Sequence, residues 1–148
     1  MYRTKDVIIN ADGSCGNGWV CEHRWPAIAG MAGFAKAANG QPLTNWWTEG
    51  NKAAYSRGDK AFIVLTNEGT LDRTFYTGLP PGDYCNVIEG CPTATGCTGK
   101  IFTVDAGGNA RIIIDDSNEP IAAIHVGKSA LYPTWFSTPK TYLFHSIG

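Results

Sequence analysis

Short stretches in which apolar and polar residues alternate follow one another from residue 43 to residue 126. Gly, Pro, Asn and Asp residues of the kind that form turns separate these stretches, at a spacing of about 8–12 residues. Such spacing is typical of an antiparallel β-sandwich. The predicted strands are Leu43–Thr48, Ala53–Ser56, Ala61–Thr66, Thr74–Thr77, Tyr84–Ile88, Lys100–Val104, Ala110–Ile114 and Ile121–Val126.

One helix is predicted before the first of these strands. The apolar spacing predicts a helix from about Val20 to Ala38, and Pro26 places its regular part after Trp25, because proline is tolerated only in a first turn. Asn39-Gly40 is a typical helix stop. One helical face is compatible with the spacing of Val20, Ile28, Met31, Ala32 and Ala35, and Trp25 and Phe34 could extend it. Without a packing partner upstream, we expect the part of this face that bears Ile28, Met31 and Ala35 to be exposed.

The two ends of the chain show weaker patterns. Residues 6–9 predict a short strand, followed by the turn signal of residues 10–13. Residues 128–148 contain Pro133 and Pro139 and show no clear periodicity, so we assign no element to this atypical tail. The helix contains Gly30 and Gly33 and therefore needs a large packing partner, which the residues before it are too few to supply. We therefore expect the natural N-terminus to lie further upstream.

Composition narrows the class of protein. The 148 residues are 43% hydrophobic and 17% charged, which argues against disorder. The net charge of −1, without a long run of either sign, excludes the basic surface typical of nucleic-acid binding, and no apolar run is long enough to span a membrane. We expect no nucleic-acid partner, no membrane partner and a monomer. The five tryptophans are interpreted first as core residues.

The five cysteines form two groups, Cys15 and Cys21, and Cys85, Cys91 and Cys97. No group has the His or CxxC spacing of a zinc site, so disulfides in an oxidising compartment fit better. A bridge from Cys15 to Cys21 would close a small loop, and a bridge from Cys85 to Cys97 would constrain a long one. Cys91 is left free or alternatively paired. No secretory signal is seen in residues 1–10, which also favours a missing upstream segment.

No catalytic constellation is evident among the polar residues. Glycoside hydrolysis requires two carboxylates on either side of one bond, whereas most acids here fall in predicted turns. Asp115-Asp116 is weak evidence for calcium without further oxygen ligands. His125 follows an apolar run and is interpreted as a hydrogen-bonded residue at a strand end.

Several blocks of the sequence resemble the C-terminal third of animal-type α-amylases, glycoside hydrolase family 13. The blocks are CGNGWVCEHRW, GQPLTNWW, AAYSRGDKAFIVLTNEG, TGLPPGDYCNVI, CTGK and PIAAIH, and together they cover about residues 5–127. The resemblance implies a mainly β fold, an antiparallel Greek-key β-sandwich called domain C, preceded by one helix left over from a (β/α)8 barrel. It divides the chain into a barrel remnant at 1–40, an all-β domain at 41–127 and the tail at 128–148.

The resemblance also implies chemistry. The family bridges Cys15 to Cys21 and Cys85 to Cys97, and some relatives contact saccharide through a tryptophan at the position of Trp25. The parent enzyme hydrolyses internal α-1,4-glucosidic bonds of starch and glycogen, binds calcium and chloride, and is secreted. The family's catalytic acids, calcium ligands and chloride ligands match no residue of this chain, so we expect this chain alone to be inactive, with no catalytic, cofactor-binding or metal-binding residue.

Two further hypotheses remain open from the sequence. The chain could be an accessory module that binds polysaccharide through exposed tryptophans such as Trp25 and Trp47. Alternatively, residues 43–127 could serve only to stabilise a barrel, which is compatible with the amylase interpretation.

Overall fold

A computed structural model describes residues 5–93, 96–117 and 120–127. The tail predicted at 128–148 lies outside these residues. In the described part of the chain, one α-helix and one short 3-10 helix precede most of the strands. Helix α1 is Pro26–Ala38, the 3-10 helix is Glu22–Arg24, and the strands are β1 Ile8–Ile9, β2 Cys15–Gly16, β3 Leu43–Glu49, β4 Lys52–Arg57, β5 Ala61–Thr66, β6 Thr70–Tyr76, β7 Gly82–Cys85, β8 Pro92–Thr93, β9 Gly96–Cys97, β10 Ile101–Val104, β11 Asn109–Asp115 and β12 Ile121–His125.

The largest sheet has four antiparallel strands in the order β12-β5-β4-β3. Strand β5 lies inside this sheet and is buried along almost its whole length. Its sequence, AFIVLT, is a continuous apolar run rather than an alternating one, because both of its faces are covered. The four-stranded sheet is therefore the middle layer of the molecule.

The second β-layer is built from two antiparallel pairs, β6 with β11 and β7 with β10. A tight turn joins β10 to β11, in which the Asp105 N–H donates to the Asn109 carbonyl at 2.8 Å and the two strands lie side by side. The order across the layer is thus β7-β10-β11-β6, with the earliest strand beside the last. This is the Greek-key arrangement, and it confirms the predicted mainly β, antiparallel fold.

The space between the two β-layers holds the main hydrophobic core. This sandwich core contains inward-facing residues of both layers, with Phe62, Val64, Ile112 and Ile124 at 1% exposure or less. In β11 the burial alternates strictly, as a strand with one covered face should. The remaining members are Ala54, Leu71, Phe75, Leu79, Phe102, Val104, Ala110, Ile114 and Ala122.

Helix α1 packs on the other face of the four-stranded sheet. A second apolar cluster, the helix-side core, joins Phe34 and Ala38 of α1 to the sheet and to Val87. Its sheet members are Ala61, Ile63 and Ala123. The molecule therefore has three layers: the helix, the four-stranded sheet and the Greek-key layer.

Within the apolar face predicted for the helix, Phe34 is buried against the sheet, whereas Ile28 and Ala35 are exposed as expected. Val20 lies outside the helix, and Ala32 is also exposed. The buried positions are Gly30, Phe34 and Ala38, at four-residue intervals on one side of α1. The helix ends are as predicted, since Pro26 begins α1 and Gly40, with φ of +71°, follows it.

One predicted strand also ends early. The prediction of Tyr84–Ile88 extends beyond β7, which stops at Cys85. There the chain crosses between layers: the Asn86 N–H donates to Lys100 O, and the Val87 N–H donates to Ala123 O in β12, at 2.8 and 3.0 Å. The backbone hydrogen bonds of residues 86 and 87 thus go to different layers, which ends the ladder with β10. Strand β6 also differs from its prediction, since it spans Thr70–Tyr76 instead of the predicted Thr74–Thr77.

Gly30 provides a direct test of the contact between helix and sheet. A Cβ atom at Gly30 would lie 1.9 Å from the Val87 carbonyl oxygen, so Gly30→Ala must push the helix away. We expect a loss of about 1–3 kcal/mol in the free energy of unfolding, the usual cost of overpacking. Urea denaturation followed by circular dichroism would measure it.

Gly33→Ala is the matched control for this change. A Cβ at Gly33 would meet only the His125 ring, at 3.5 Å, which is an ordinary contact. The helix propensity of alanine should then stabilise the protein by about 0.5–1 kcal/mol. Equal effects of the two substitutions would show that Gly30 does not set the helix position.

Candidate functional site

Trp25 lies at the junction of the two helices. Its backbone caps both, because its N–H donates to Glu22 O and its carbonyl accepts from the Ala29 N–H at 3.0 Å. The side chain is 50% exposed, and its indole forms no ring contact or hydrogen bond with any residue that the structure describes. The Trp25 side chain therefore offers an open aromatic surface.

The side of α1 that faces away from the sheet is also apolar. We call Ile28, Ala32 and Ala35 the outer helix face; all three are exposed, Ile28 at 45%. Exposed apolar side chains also precede the helix, among them Trp19 and Val20. Neither hydrophobic core contains a residue before Met31 in the described chain. Exposed apolar side chains that cluster in this way mark interaction sites more often than isolated ones do.

A further aromatic pair stands on the helix side of the four-stranded sheet, at its β3 edge. Trp46 stacks on Tyr55 of β4, with ring centroids 5.8 Å apart and an angle of 21° between the planes. Trp46 is 58% exposed. The neighbouring Trp47 points to the opposite face, where it packs against Phe75 and lies under the Arg73 guanidinium.

The interpretation of Trp47 as an exposed tryptophan is therefore wrong, since Trp47 is half-buried at the sandwich core. Trp46 is the exposed member of the pair, and it is not among the residues predicted to be exposed. Alternation along Trp46-Trp47 puts the two rings on opposite faces, but it does not say which face is covered. The nearby bulge at Asn45, with φ of +54°, has no clear signal in the sequence.

Two disulfides close loops, one before the helices and one after β7. Cys15 bonds to Cys21, with Cα atoms 6.0 Å apart, and Cys85 bonds to Cys97, with Cα atoms 5.5 Å apart. These are the pairs that the resemblance implies. The first loop is also fixed by Arg24, whose Nε donates to Gly13 O at 2.7 Å. Cys91 is free and half-buried.

The acidic side chains act in turns and surface ion pairs. Hydrogen bonds from Ser117, and then from Thr70, lower the pKa of Asp115 to about 2. Asp72 forms a two-pronged ion pair with Arg111, and this contact lowers the pKa of its carboxyl. Asp105 accepts hydrogen bonds from the Gly107 and Asn109 N–H groups of its own turn. Each of these acids is bound to a local partner, and Asp72 and Asp105 are exposed, unlike a catalytic pair facing one bond.

His125 lies at the end of β12, between the sheet and α1. Burial lowers the pKa of its imidazole. Its Nδ1 accepts from the Gly127 N–H at 3.1 Å, and its ring meets Phe34 edge-on with centroids 6.4 Å apart. This matches the predicted hydrogen-bonded histidine at a strand end, and it makes His125 part of the helix–sheet contact.

The described part of the chain contains neither a cluster of metal-binding side chains nor a membrane-spanning helix. Within residues 5–93, 96–117 and 120–127, no group of three or more His, Cys, Asp or Glu side chains could hold a metal ion. The calcium implied for the parent enzyme therefore does not fit these side chains. None of the helices in the same part of the chain is long and apolar enough to cross a membrane.

Comparison with known proteins agrees with the architecture. A family profile described as the alpha amylase, C-terminal all-beta domain, matches residues 46–127. The chain belongs to this family. The match begins at Trp46, within β3, and ends two residues after β12, so it covers both β-layers.

Curated relatives are animal α-amylases. An alpha-amylase of Oryzias latipes is 50% identical over 125 residues, which are 82% of this chain and 24% of the relative. Pancreatic alpha-amylase 2a5 of Mus musculus is 49% identical over 125 residues, with 82% of this chain and 25% of the relative covered. The chain thus spans about a quarter of the length of the curated relatives it matches.

The solved structures that match this chain include α-amylases. The crystal structure of a variant of alpha-amylase I from Eisenia fetida, in complex with maltohexaose, matches with a TM-score of 0.68 and 37% identity. The match covers 77% of this chain and 25% of that enzyme. The part of this chain that matches the solved structure is longer than residues 46–127, so the homology includes more than the family domain.

The position of His125 predicts a dependence of stability on pH. Because the folded pKa lies below the value of about 6.5 for an unfolded histidine, the unfolded state binds more protons between the two values. The contribution of the neutral His125 imidazole to the free energy of unfolding is therefore complete above about pH 6.5. This contribution is lost as the pH falls through the pKa of the folded state. Urea midpoints measured from pH 7.5 to 5 should decrease over this window.

His125→Gln should flatten the decrease, since glutamine does not titrate and can still accept from the Gly127 N–H. His23→Gln is the control, because His23 is exposed in the 3-10 helix and belongs to neither core. A decrease that persists unchanged in His125→Gln would contradict the assignment.

Proposed function

We propose that this chain is the C-terminal part of a secreted α-amylase. The parent enzyme hydrolyses internal α-1,4-glucosidic bonds of starch and glycogen with retention of configuration. The observation that carries the proposal is the match to C-terminal all-beta domains together with about 50% identity to animal α-amylases. In this proposal residues 41–127 are the complete domain C, and residues 1–40 are the end of the catalytic barrel.

The exposed apolar surface supports this division. A helix that packs on the sheet through Phe34 and Ala38, and exposes Ile28 on its other side, has room for a second partner. We assign that partner to the catalytic barrel, with the outer helix face as the contact. The domain then acts by supporting the barrel and contributes no group to the reaction.

The chain alone is proposed to have no hydrolytic activity. Retaining hydrolysis requires two carboxyl groups about 5–5.5 Å apart on either side of the scissile bond. Asp72, Asp105 and Asp115 are each bound to their own surface partners. We assign the catalytic acids, and the calcium and chloride ligands, to parts of the enzyme that this chain does not include.

Secretion is supported by the disulfides. Bonds between Cys15 and Cys21 and between Cys85 and Cys97 persist in oxidising compartments, whereas the cytosol keeps thiols reduced. The proposed location is therefore extracellular, and the proposed partner is an α-glucan bound by the whole enzyme.

A second candidate function is polysaccharide binding by this part of the chain itself. The half-exposed indole of Trp25, free of contacts within the described chain, favours it. Aromatic faces pack on the apolar C–H surface of sugars, so an open ring is the minimum requirement. A saccharide contact at Trp25 remains a prediction from the family resemblance.

A chimeric enzyme tests the proposed role. Residues 5–127 would replace the matching quarter of the Oryzias latipes enzyme, which is 50% identical to this chain. We expect the chimera to hydrolyse soluble starch, measured by release of reducing sugar, and the purified 148-residue chain to show only buffer-level activity. The truncated relative without this quarter is the control. Turnover by the chain alone, or a chimera no more active than the truncated relative, would contradict the proposal.

The contact of the outer helix face with the barrel can be tested in the same chimera. Ile28→Glu would place a carboxylate in the proposed interface, and an unpaired buried charge typically costs about 3–5 kcal/mol. The thermal midpoint of the chimera should therefore fall, whereas that of the isolated chain should hardly change because Ile28 is exposed there. Lys36→Gln, which changes the net charge by the same single unit at an exposed position outside the three-residue face, is the charge control. Equal midpoints for the two chimeras would remove the outer helix face from the interface.

A further inference from the structure

The aromatic pair at the β3 edge is not explained by either hydrophobic core. Trp46 belongs to neither core and is 58% exposed, although it lies in a regular strand of the four-stranded sheet. Strand β3 is the edge strand of that sheet, so solvent reaches it from the side as well as from above. A large aromatic side chain held at such a position is open to a ligand.

The local backbone turns the ring outward. The pairing of β3 with β4 shifts between Thr44 and Trp47, and Asn45 has a left-handed backbone with φ of +54°. The Asn45 side chain fixes this bulge by donating to Ser56 Oγ at 3.0 Å. Bulges redirect side chains next to functional sites. Here the bulge places Trp46 and Tyr55 on the same face of the sheet.

Tyr55 supports the Trp46 ring from below. It pairs with Ile63 across the sheet and packs on the helix-side core, which limits its movement. The two planes are offset and nearly parallel, so one face of Trp46 lies along Tyr55 and the other is open. The result is a flat aromatic platform that is already positioned before any ligand binds.

A hydrogen-bond donor, Arg57, lies on the same face of the sheet as this platform. Arg57 follows Tyr55 by two residues on β4 and therefore points to the same face. Its Nε donates to Gln41 O at 3.0 Å, which fixes the guanidinium, while its terminal nitrogens have no partner within the described chain. An open aromatic plane with a fixed polar group on the same face of the sheet fits a ligand that has an apolar face and hydroxyl edges.

We propose that Trp46, supported by Tyr55, is a binding platform for an α-1,4-glucan chain. The pyranose C–H face stacks on the open indole face, and sugar hydroxyls accept from Arg57. This inference rests on the proposed function for the class of ligand. It differs from the Trp25 contact, which lies at the start of α1 rather than on the sheet.

Binding should be measured in a Trp25→Ala chain, so that any contact at Trp25 is already removed. We expect this chain to be retarded in native gels that contain glycogen, and to bind maltohexaose with shifts of the Trp46 indole N–H in NMR spectra. Adding Trp46→Ala should weaken maltohexaose binding about fivefold or more, which corresponds to about 1 kcal/mol at 25 °C. Adding Trp46→Phe should retain part of the affinity.

Trp19→Ala in the same background is the matched control, since Trp19 is also exposed and its Nε1 bonds only to Lys5 O. Thermal unfolding of every variant excludes a loss of fold.

Unchanged binding in the Trp46→Ala chain, or absence of binding in the Trp25→Ala chain, would overturn the proposal. The Trp46→Ala substitution could also lower the thermal midpoint of the starch-hydrolysing chimera without weakening glucan binding. That result would overturn the proposal as well, because it would identify this face as an intramolecular contact. Because the proposed function is tested by hydrolysis in the chimera, an active chimera combined with a chain that binds no glucan would remove this inference alone.

Discussion

The carbonyl oxygen of Val87 fixes how closely the helix approaches the sheet. Only a residue without a side chain can lie against it, and α1 has Gly30 at that point. The close approach lets Phe34 and Ala38 reach Ala61, Ile63 and Ala123, which would otherwise be exposed to water. The middle sheet can therefore be apolar on both faces, and β5 can be buried along almost its whole length.

Val87 is held in place by the segment that crosses between the two β-layers. Asn86 is fully buried; its backbone bonds to Lys100, and its side-chain oxygen accepts from the Ala123 N–H at 3.0 Å. The disulfide of Cys85 with Cys97 lies directly before it and ties the same segment to β9. The helix position thus depends on a crossing of the chain that belongs to the sandwich, although α1 precedes the sandwich in sequence.

The sequence predicts this architecture where one physical signal acts alone. Alternation identifies strands such as β11, which has one covered face, and Pro26 and Gly40 mark the ends of α1. The prediction fails where two constraints compete. Tyr84–Ile88 continues an apolar strand pattern, but the hydrogen bonds of residue 87 go to β12 instead of β10. Trp46 and Trp47 alternate correctly, but their roles are decided by which face of the sheet is covered.

The predicted apolar face of α1 differs from the face that packs on the sheet for the same reason, and this difference bears on where the two proposed domains meet. Small and apolar residues occupy both sides of α1: Gly30, Phe34 and Ala38 on one side and Ile28, Ala32 and Ala35 on the other. Periodicity can identify a single stripe, but a helix that contacts neighbours on two sides has no single stripe to find. A boundary at residue 40 assigns the whole helix to the barrel, whereas Phe34 and Ala38 already belong to the helix-side core. If the barrel packs on the outer helix face, the interface between the two bodies runs along the helix axis rather than across the chain. Helix α1 would then be a structural part of both, which explains why it is rich in the small residues that allow close approach on either side.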